Sequence, residues 1–266
     1  MAPESEVTYR RIFRIWLPLA ATWLMMSIEG PFLAAVIARL PEPTVNLAAY
    51  GIAFSFALIV EAPIIMILSA STALAKDINA FRKLRNFLFV LNLVITLAML
   101  VVLWGPVFDW LAENFISLPP EVARLTHQAL AILLPWPAAI GFRRLYQGLL
   151  IRHEMTRRVA YGTVVRVIVM AASALVLYRF YALPGALVGA ASLSCGVVVE
   201  SICTRFMVWG IGRRIESSPD EEGEPLTYRR IVDFYVPLAL TSIIALAVHP
   251  AVTFFLGQSR QALESL

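Results

Sequence analysis

The sequence predicts an all-α integral membrane protein: one six-helix lobe followed by the start of a second repeat. Three observations predict it. The 266 residues are 59% hydrophobic and 15% charged, with a mean hydropathy of +0.76, more apolar surface than a soluble domain of this size can bury. The apolar runs are bilayer-spanning in length and lack short alternating segments, which selects helices over barrel strands. Finally, "TYRRIFRIWLPLAATW" at residues 8–23 returns as "TYRRIVDFYVPLALTS" at 227–242.

Seven apolar runs cover roughly 12–39, 47–75, 86–105, 122–151, 159–178, 184–210 and 231–257. The first is too long for a signal-peptide core and stays as a span. Arg10, Arg11, Arg14, Lys76, Arg82, Lys83, Arg85, Arg152, Arg157, Arg158, Arg213, Arg214, Arg229 and Arg230 fall on one side, fourteen in all, against four (Arg39, Arg124, Arg179 and Arg260) on the other. The positive-inside rule then places the N-terminus in the cytoplasm of a multi-pass protein of the cell (inner) membrane. Basic residues spread between spans carry topology and form no nucleic-acid patch, despite the net charge of +4.

The repeat sets the domain plan. At an offset of 219, ten of 24 positions between residues 8 and 31 are identical, from the "TYRRI" block to Pro31 and Pro250. An offset spanning six helices marks a unit that begins again in the same orientation, an architecture in which the solute site lies between two lobes. The expected division is a lobe over 1–214, a cytoplasmic linker over 215–226 and the start of a second lobe over 227–266. Two units need twice the offset, about 440 residues. The chain is therefore expected to be part of a longer protein whose second lobe packs against this one.

Ionisable residues inside the spans are the candidate functional groups. "IEGP" at 28–31 and "VEAP" at 60–63 place Glu29 and Glu61 mid-span, where a carboxylate costs about 2.5–3.5 kcal/mol on insertion scales and so faces protein or water. Pro31 and Pro63 lack the N–H that would bind the carbonyls of Ser27 and Ile59. Carboxylate beside freed carbonyl suits Na⁺ or a transported proton; the alternative is a structural hydrogen bond to a neighbouring helix. Arg143, Arg144, Arg166 and Arg205 all lie about 12 Å inside the basic side. They form a level that, with Gln147, would bind an anionic solute. The alternatives are snorkelling to headgroups and an Arg205–Glu200 pair. Arg143 and Arg144 are about 100° apart on a helix, so one is expected to face inward and the other to snorkel. Pro135 and Pro137 should bend the fourth span and, with Pro31 and Pro63, are candidate gating positions.

Other features read as structural. "GALVG" and "SLSCG" give small residues at four-residue spacing, a helix-packing face. Cys195 and Cys203, about 12 Å apart along one helix, are too distant for a disulfide and read as buried. Trp16, Trp104, Trp110 and Trp209 read as interfacial belt residues.

"YRRIFRIWLPLAATWLMMSIEGP" resembles the first helix of the MOP flippase superfamily, which contains the MATE multidrug exporters. "LAAYGIAFSFALIVEAPIIMILSASTALAKD" resembles the second helix of the progressive ankylosis (ANKH) proteins within it, and "YQGLLIRHEMTRRVAYGTVVR" is similar to the loop between helices four and five in both groups. The resemblance implies a MATE-like lobe and a secondary transporter or exporter of a small-molecule solute, working by alternating access coupled to Na⁺ or H⁺. Many MATE exporters carry an acid in the first helix that takes part in cation coupling. Here that position is Glu29, where Asp is more familiar. The ANKH-like alternative exports or flips pyrophosphate, citrate, nucleotides or lipid-linked phosphates. A third reading is a non-transporting membrane scaffold or inactive fragment. No phosphate-cradling glycine loop, metal cluster or nucleophile elbow points to an enzyme or a resident cofactor.

Overall fold

The structure is a computed structural model and describes residues 8–210 and 225–257. Most of the expected linker therefore lies outside the described residues. Among the described residues seven segments are long and apolar enough to cross a membrane, one of them, Pro120–Arg152, made of two helices. In chain order the helices are α1 Tyr9–Ile37, α2 Pro43–Glu61, a 3₁₀ turn Ile64–Met66, α3 Ile67–Leu74, α4 Ile78–Leu103, α5 Gly105–Trp110, a π turn Leu111–Ile116, α6 Pro120–Ile132, α7 Trp136–Arg152, α8 Thr156–Phe180, α9 Gly185–Met207 and α10 Tyr228–Gly257. No strand occurs among the described residues.

Two expected spans are broken, both at proline. The run 47–75 divides where Pro63, without an N–H, ends α2 and a 3₁₀ turn leads into α3. The run 122–151 divides at Leu133–Pro135 into α6 and α7, and Ser194 of α9 donates to the Ile132 carbonyl there at 3.0 Å. Pro18 and Pro31, in contrast, lie inside a continuous α1. The short α5 and π turn between the third and fourth spans carry no run long enough to have been read as elements.

The break in the second span corrects the expected site of the loosened backbone. The Ile59 carbonyl is taken by the Ala62 N–H at 3.3 Å. At the break the carbonyls of Ala62 and Pro63 accept side-chain donors from α10: Ser242 Oγ bonds Ala62 at 2.5 Å and the Tyr235 hydroxyl bonds Pro63. The start of the second repeat is thus docked on the break in α2.

Small residues and one buried amide fix the helix contacts. Asn46 Nδ2 donates to the Pro41 and Glu42 carbonyls, while its Oδ1 accepts the Ala186 N–H at 2.9 Å, tying the α1–α2 turn to the start of α9. A Cβ on Gly189 would meet Ile37 at 2.8 Å and Tyr50 at 2.9 Å, so α9 approaches α1 and α2 closely only because these positions are small. α7 is the central helix, with thirteen of its 17 residues buried. Its basic C-terminal end serves its neighbours: Arg152 donates to the Thr72 and Ala73 carbonyls near the end of α3. Cys195 is exposed and Cys203 half-buried, correcting the expectation that both are buried, and both are free thiols. Trp16, Trp104, Trp110 and Trp209 are all exposed.

Candidate functional site

α1, α2, α7, α8, α9 and α10 enclose a cavity of about 500 Å³. Glu29, Glu61, Arg143, Arg144 and Arg166 line it, with an aromatic wall of Tyr50, Phe54 and Trp136. Tyr50 and Phe54 stack at 6.1 Å between ring centroids, and Trp136 leans on Phe54 at 5.8 Å. A smaller cavity of about 90 Å³ shares Trp23, Met26, Arg143 and Arg144 with it and adds Thr22 and Gln147.

The charges are ordered in pairs. Arg166 Nη2 donates to Glu29 Oε2 at 2.5 Å. Arg143 Nη1 donates to Glu200 Oε2 at 2.6 Å, and Arg166 Nη1 lies 3.8 Å from the same oxygen. Gln147 and Thr163 donate to Glu200 Oε1 at 3.3 and 3.4 Å. Glu29 and Arg166 are therefore not two separate sites but one ion pair joining α1 to α8. Glu61 and Arg144 line the same cavity, and neither makes a hydrogen bond or ion pair among the described residues.

Sequence spacing placed the arginines at one depth, and the structure separates them by direction. Arg143, Arg144 and Arg166 converge on the cavity, but Arg205 does not. It is exposed and lies over the Tyr146 ring at 5.3 Å. Five residues turn a helix by about 140°, so Arg205 cannot share the inward face of Glu200. The expected split of Arg143 and Arg144 is also corrected: both are buried. Because α7 is surrounded by protein, a residue on it can turn away from its neighbour and still meet another helix. Sequence reasoning cast Glu200 as a partner of Arg205 and passed over its role as the buried hub. The signal was present, since an intramembrane acid within reach of several arginines is a pairing candidate wherever it lies. Pro63 and Pro135 sit beside cavity residues Glu61 and Trp136, so both helix breaks position the site.

The family model described as Progressive ankylosis protein (ANKH) matches residues 2–264. The chain belongs to the ANKH family. Solved structures share its fold. This ANKH-family chain superimposes on an outward-facing multidrug resistance MATE transporter of the MOP superfamily with a TM-score of 0.66 at 20% identity, covering 92% of its own residues and 54% of the transporter's. An inward-facing MATE transporter gives 0.69 at 16% identity, covering 96% and 59%. A MOP superfamily transporter from Pyrococcus furiosus, reported with a binding pocket of reverse polarity that suggests a different function, gives 0.65 at 17%, covering 92% and 54%. The ANKH-family chain thus has a MATE-like fold and spans a little over half the length of these transporters. A comparison with curated protein sequences gave no match.

Proposed function

We propose that the chain forms one lobe of an alternating-access transporter for anionic solutes, in the cell (inner) membrane with its N-terminus in the cytoplasm. The observation that carries this reading is an excess of unpaired donors. Arg143 Nε, Arg144 Nε, Arg166 Nε, Arg166 Nη1 and Trp136 Nε1 are buried without a hydrogen-bond partner, five donors against Glu29 Oε1 and the two oxygens of the unpaired Glu61 carboxylate on the cavity-lining residues. Buried donors call for acceptors, and an oxyanion such as pyrophosphate, citrate or a nucleotide phosphate brings several, in a geometry the arginine fork matches. The fourteen-to-four distribution of basic residues supports the orientation. The second lobe, by the repeat, closes the cavity from the other side.

A second reading, a MATE-type exporter coupled to Na⁺ or H⁺ through Glu29 and Glu61, is favoured by the unpaired Glu61 carboxylate. Arg144 separates the two. Binding of pyrophosphate and citrate to the purified chain is measured against an uncharged control, in wild type, Arg144→Gln and Arg144→Lys. Loss of one charge-assisted hydrogen bond weakens anion binding by about 1.5–3 kcal/mol in the Gln form, with partial recovery in the Lys form. Equal affinities in all three forms would return the preference to a cationic solute.

A further inference from the structure

The Glu29–Arg166 pair is held by one hydrogen bond, where a guanidinium and a carboxylate can make two in parallel. The remaining atoms, Glu29 Oε1 with Arg166 Nε and Nη1, are buried without a hydrogen-bond partner, and Nη1 lies 3.8 Å from Glu200 Oε2. Both side chains line the cavity, so an entering solute meets a pair already half open. The groups facing Glu29 are Arg166 from α8, Arg143 from α7 and Glu200 from α9. Tyr50 and Glu61 of α2 and Arg144 of α7 line the same cavity, and α10 contributes Val252 there among the described residues.

We propose that a solute's anionic group and a proton load this pair together, the anion taking Arg166 and the proton taking Glu29, so that both cross the membrane in the same direction. This rests on the anion reading above. The anion accepts the Arg166 Nη2–H that Glu29 Oε2 holds in the empty site. Glu29 would then remain as a bare carboxylate in a nearly dry position, which is the unfavourable form for a buried acid that has lost its partner. A proton from cavity water forms an O–H bond on Oε2 and removes that charge, and the new hydroxyl can donate to the anion. Nothing is oxidised or reduced. The empty pair is neutral; Arg166⁺, neutral Glu29 and a monoanion again sum to zero, and the second charge of a dianion such as sulfate falls to Arg144, which lines the same cavity. Release reverses both steps: the anion leaves, Glu29 returns to Arg166 and its proton departs. Because the empty site holds Glu29 ionised and the loaded site holds it protonated, proton and anion travel as co-passengers, not in exchange.

Sulfate is the probe, since its charge is fixed across the neutral range and any proton taken up belongs to the protein. The full 266-residue chain is titrated in lipid nanodiscs by calorimetry in two buffers of different ionisation enthalpy, at several pH values. About one proton should be taken up per sulfate bound, and affinity should rise about tenfold for each pH unit lowered where the empty pair is ionised. Glu29→Gln should bind sulfate without proton uptake and without pH dependence. Sulfate binding in wild type with no proton uptake and a flat pH profile would overturn the proposal and leave the anion site standing. Proton uptake that persists in Glu29→Gln and disappears in Glu61→Gln would overturn it in favour of Glu61. No sulfate binding at any pH would defeat the anion reading itself, and the co-loading with it. The wild-type measurement does not depend on how well any variant folds.

Discussion

Arg143 Nη1 meets Glu200 Oε2 at 2.6 Å, with the two side chains 2% and 0% exposed. The bond joins α7 to α9 at the centre of the lobe, and Gln147 and Thr163 complete the shell around the acid. Removing one member strands the other charge. Glu200→Leu should destabilise the lobe by about 3–5 kcal/mol, whereas pairing it with Arg143→Met should recover most of the loss, because an apolar pair of similar volume replaces a desolvated ionic one. Thermal unfolding of the two variants in one detergent reads the difference. Single and double variants that melt alike would show that the charges do not compensate each other.

The break in α2 supplies a second test. Ser242 and Tyr235 of α10 are the donors to the Ala62 and Pro63 carbonyls, and Tyr235 also sets its ring edge against Phe87 of α4 at 5.1 Å. Ser242→Ala and Tyr235→Phe each remove a side-chain donor to a carbonyl at the break, at a cost of about 1–3 kcal/mol. Both variants should release α10 first. Limited proteolysis should then cut N-terminal to Tyr228 faster than in wild type, while cleavage between α8 and α9 is unchanged. Equal acceleration at both places would mean the bonds stabilise the whole lobe and not the docking of α10.

The long helices were legible because run length in a bilayer leaves few alternatives: α1, α8, α9 and α10 match expected spans to within about three residues, while α4 begins at Ile78, ahead of the expected start at 86, because its first turns are charged and fall outside the apolar run. The candidate groups were legible for the same reason, since an acid or arginine in an apolar run stands out. Their partners were not. Depth along a helix follows from residue number at fixed rise, and it placed Arg143, Arg144, Arg166 and Arg205 together. Direction depends on which helices surround each one, so exposed Arg205 and buried Arg144 could not be told apart. The freed carbonyls show the same limit. Proline identified where α2 would loosen, but the Ala62 N–H satisfied Ile59, and the donors from α10 go to Ala62 and Pro63 instead. Pro31 carries the same local chemistry as Pro63 and leaves α1 continuous. Proline permits a break; neighbouring helices that can serve the exposed carbonyls decide whether one forms.

At the basic end of the lobe, Arg11 of α1 reaches Glu154 in the turn between α7 and α8. Both Nε, at 3.1 Å, and Nη2 donate to Glu154 Oε1. The hydrogen bond from Arg11 is the main influence holding the Glu154 carboxyl below the usual carboxylate range. A depressed folded-state value means the pair's contribution is complete above the unfolded value of about 4.3 and fades as pH falls through the folded one. The contact should therefore be constant through neutral pH and lost in acid. With side chains 41% and 47% exposed, it should also be weakened by salt. Glu154 has a left-handed φ of 58°, so the control must separate charge from backbone. Asn tolerates that conformation better than most residues and cannot ionise, whereas Gln is the isosteric neutral form. Glu154→Gln should melt slightly below wild type at neutral pH, with the gap closing as pH falls through the folded value and in about 1 M salt. Glu154→Asn should recover part of the gap if the backbone is strained and none if the charge alone matters. A gap that survives both acid and salt would mean the turn, and not the ion pair, secures the end of α1.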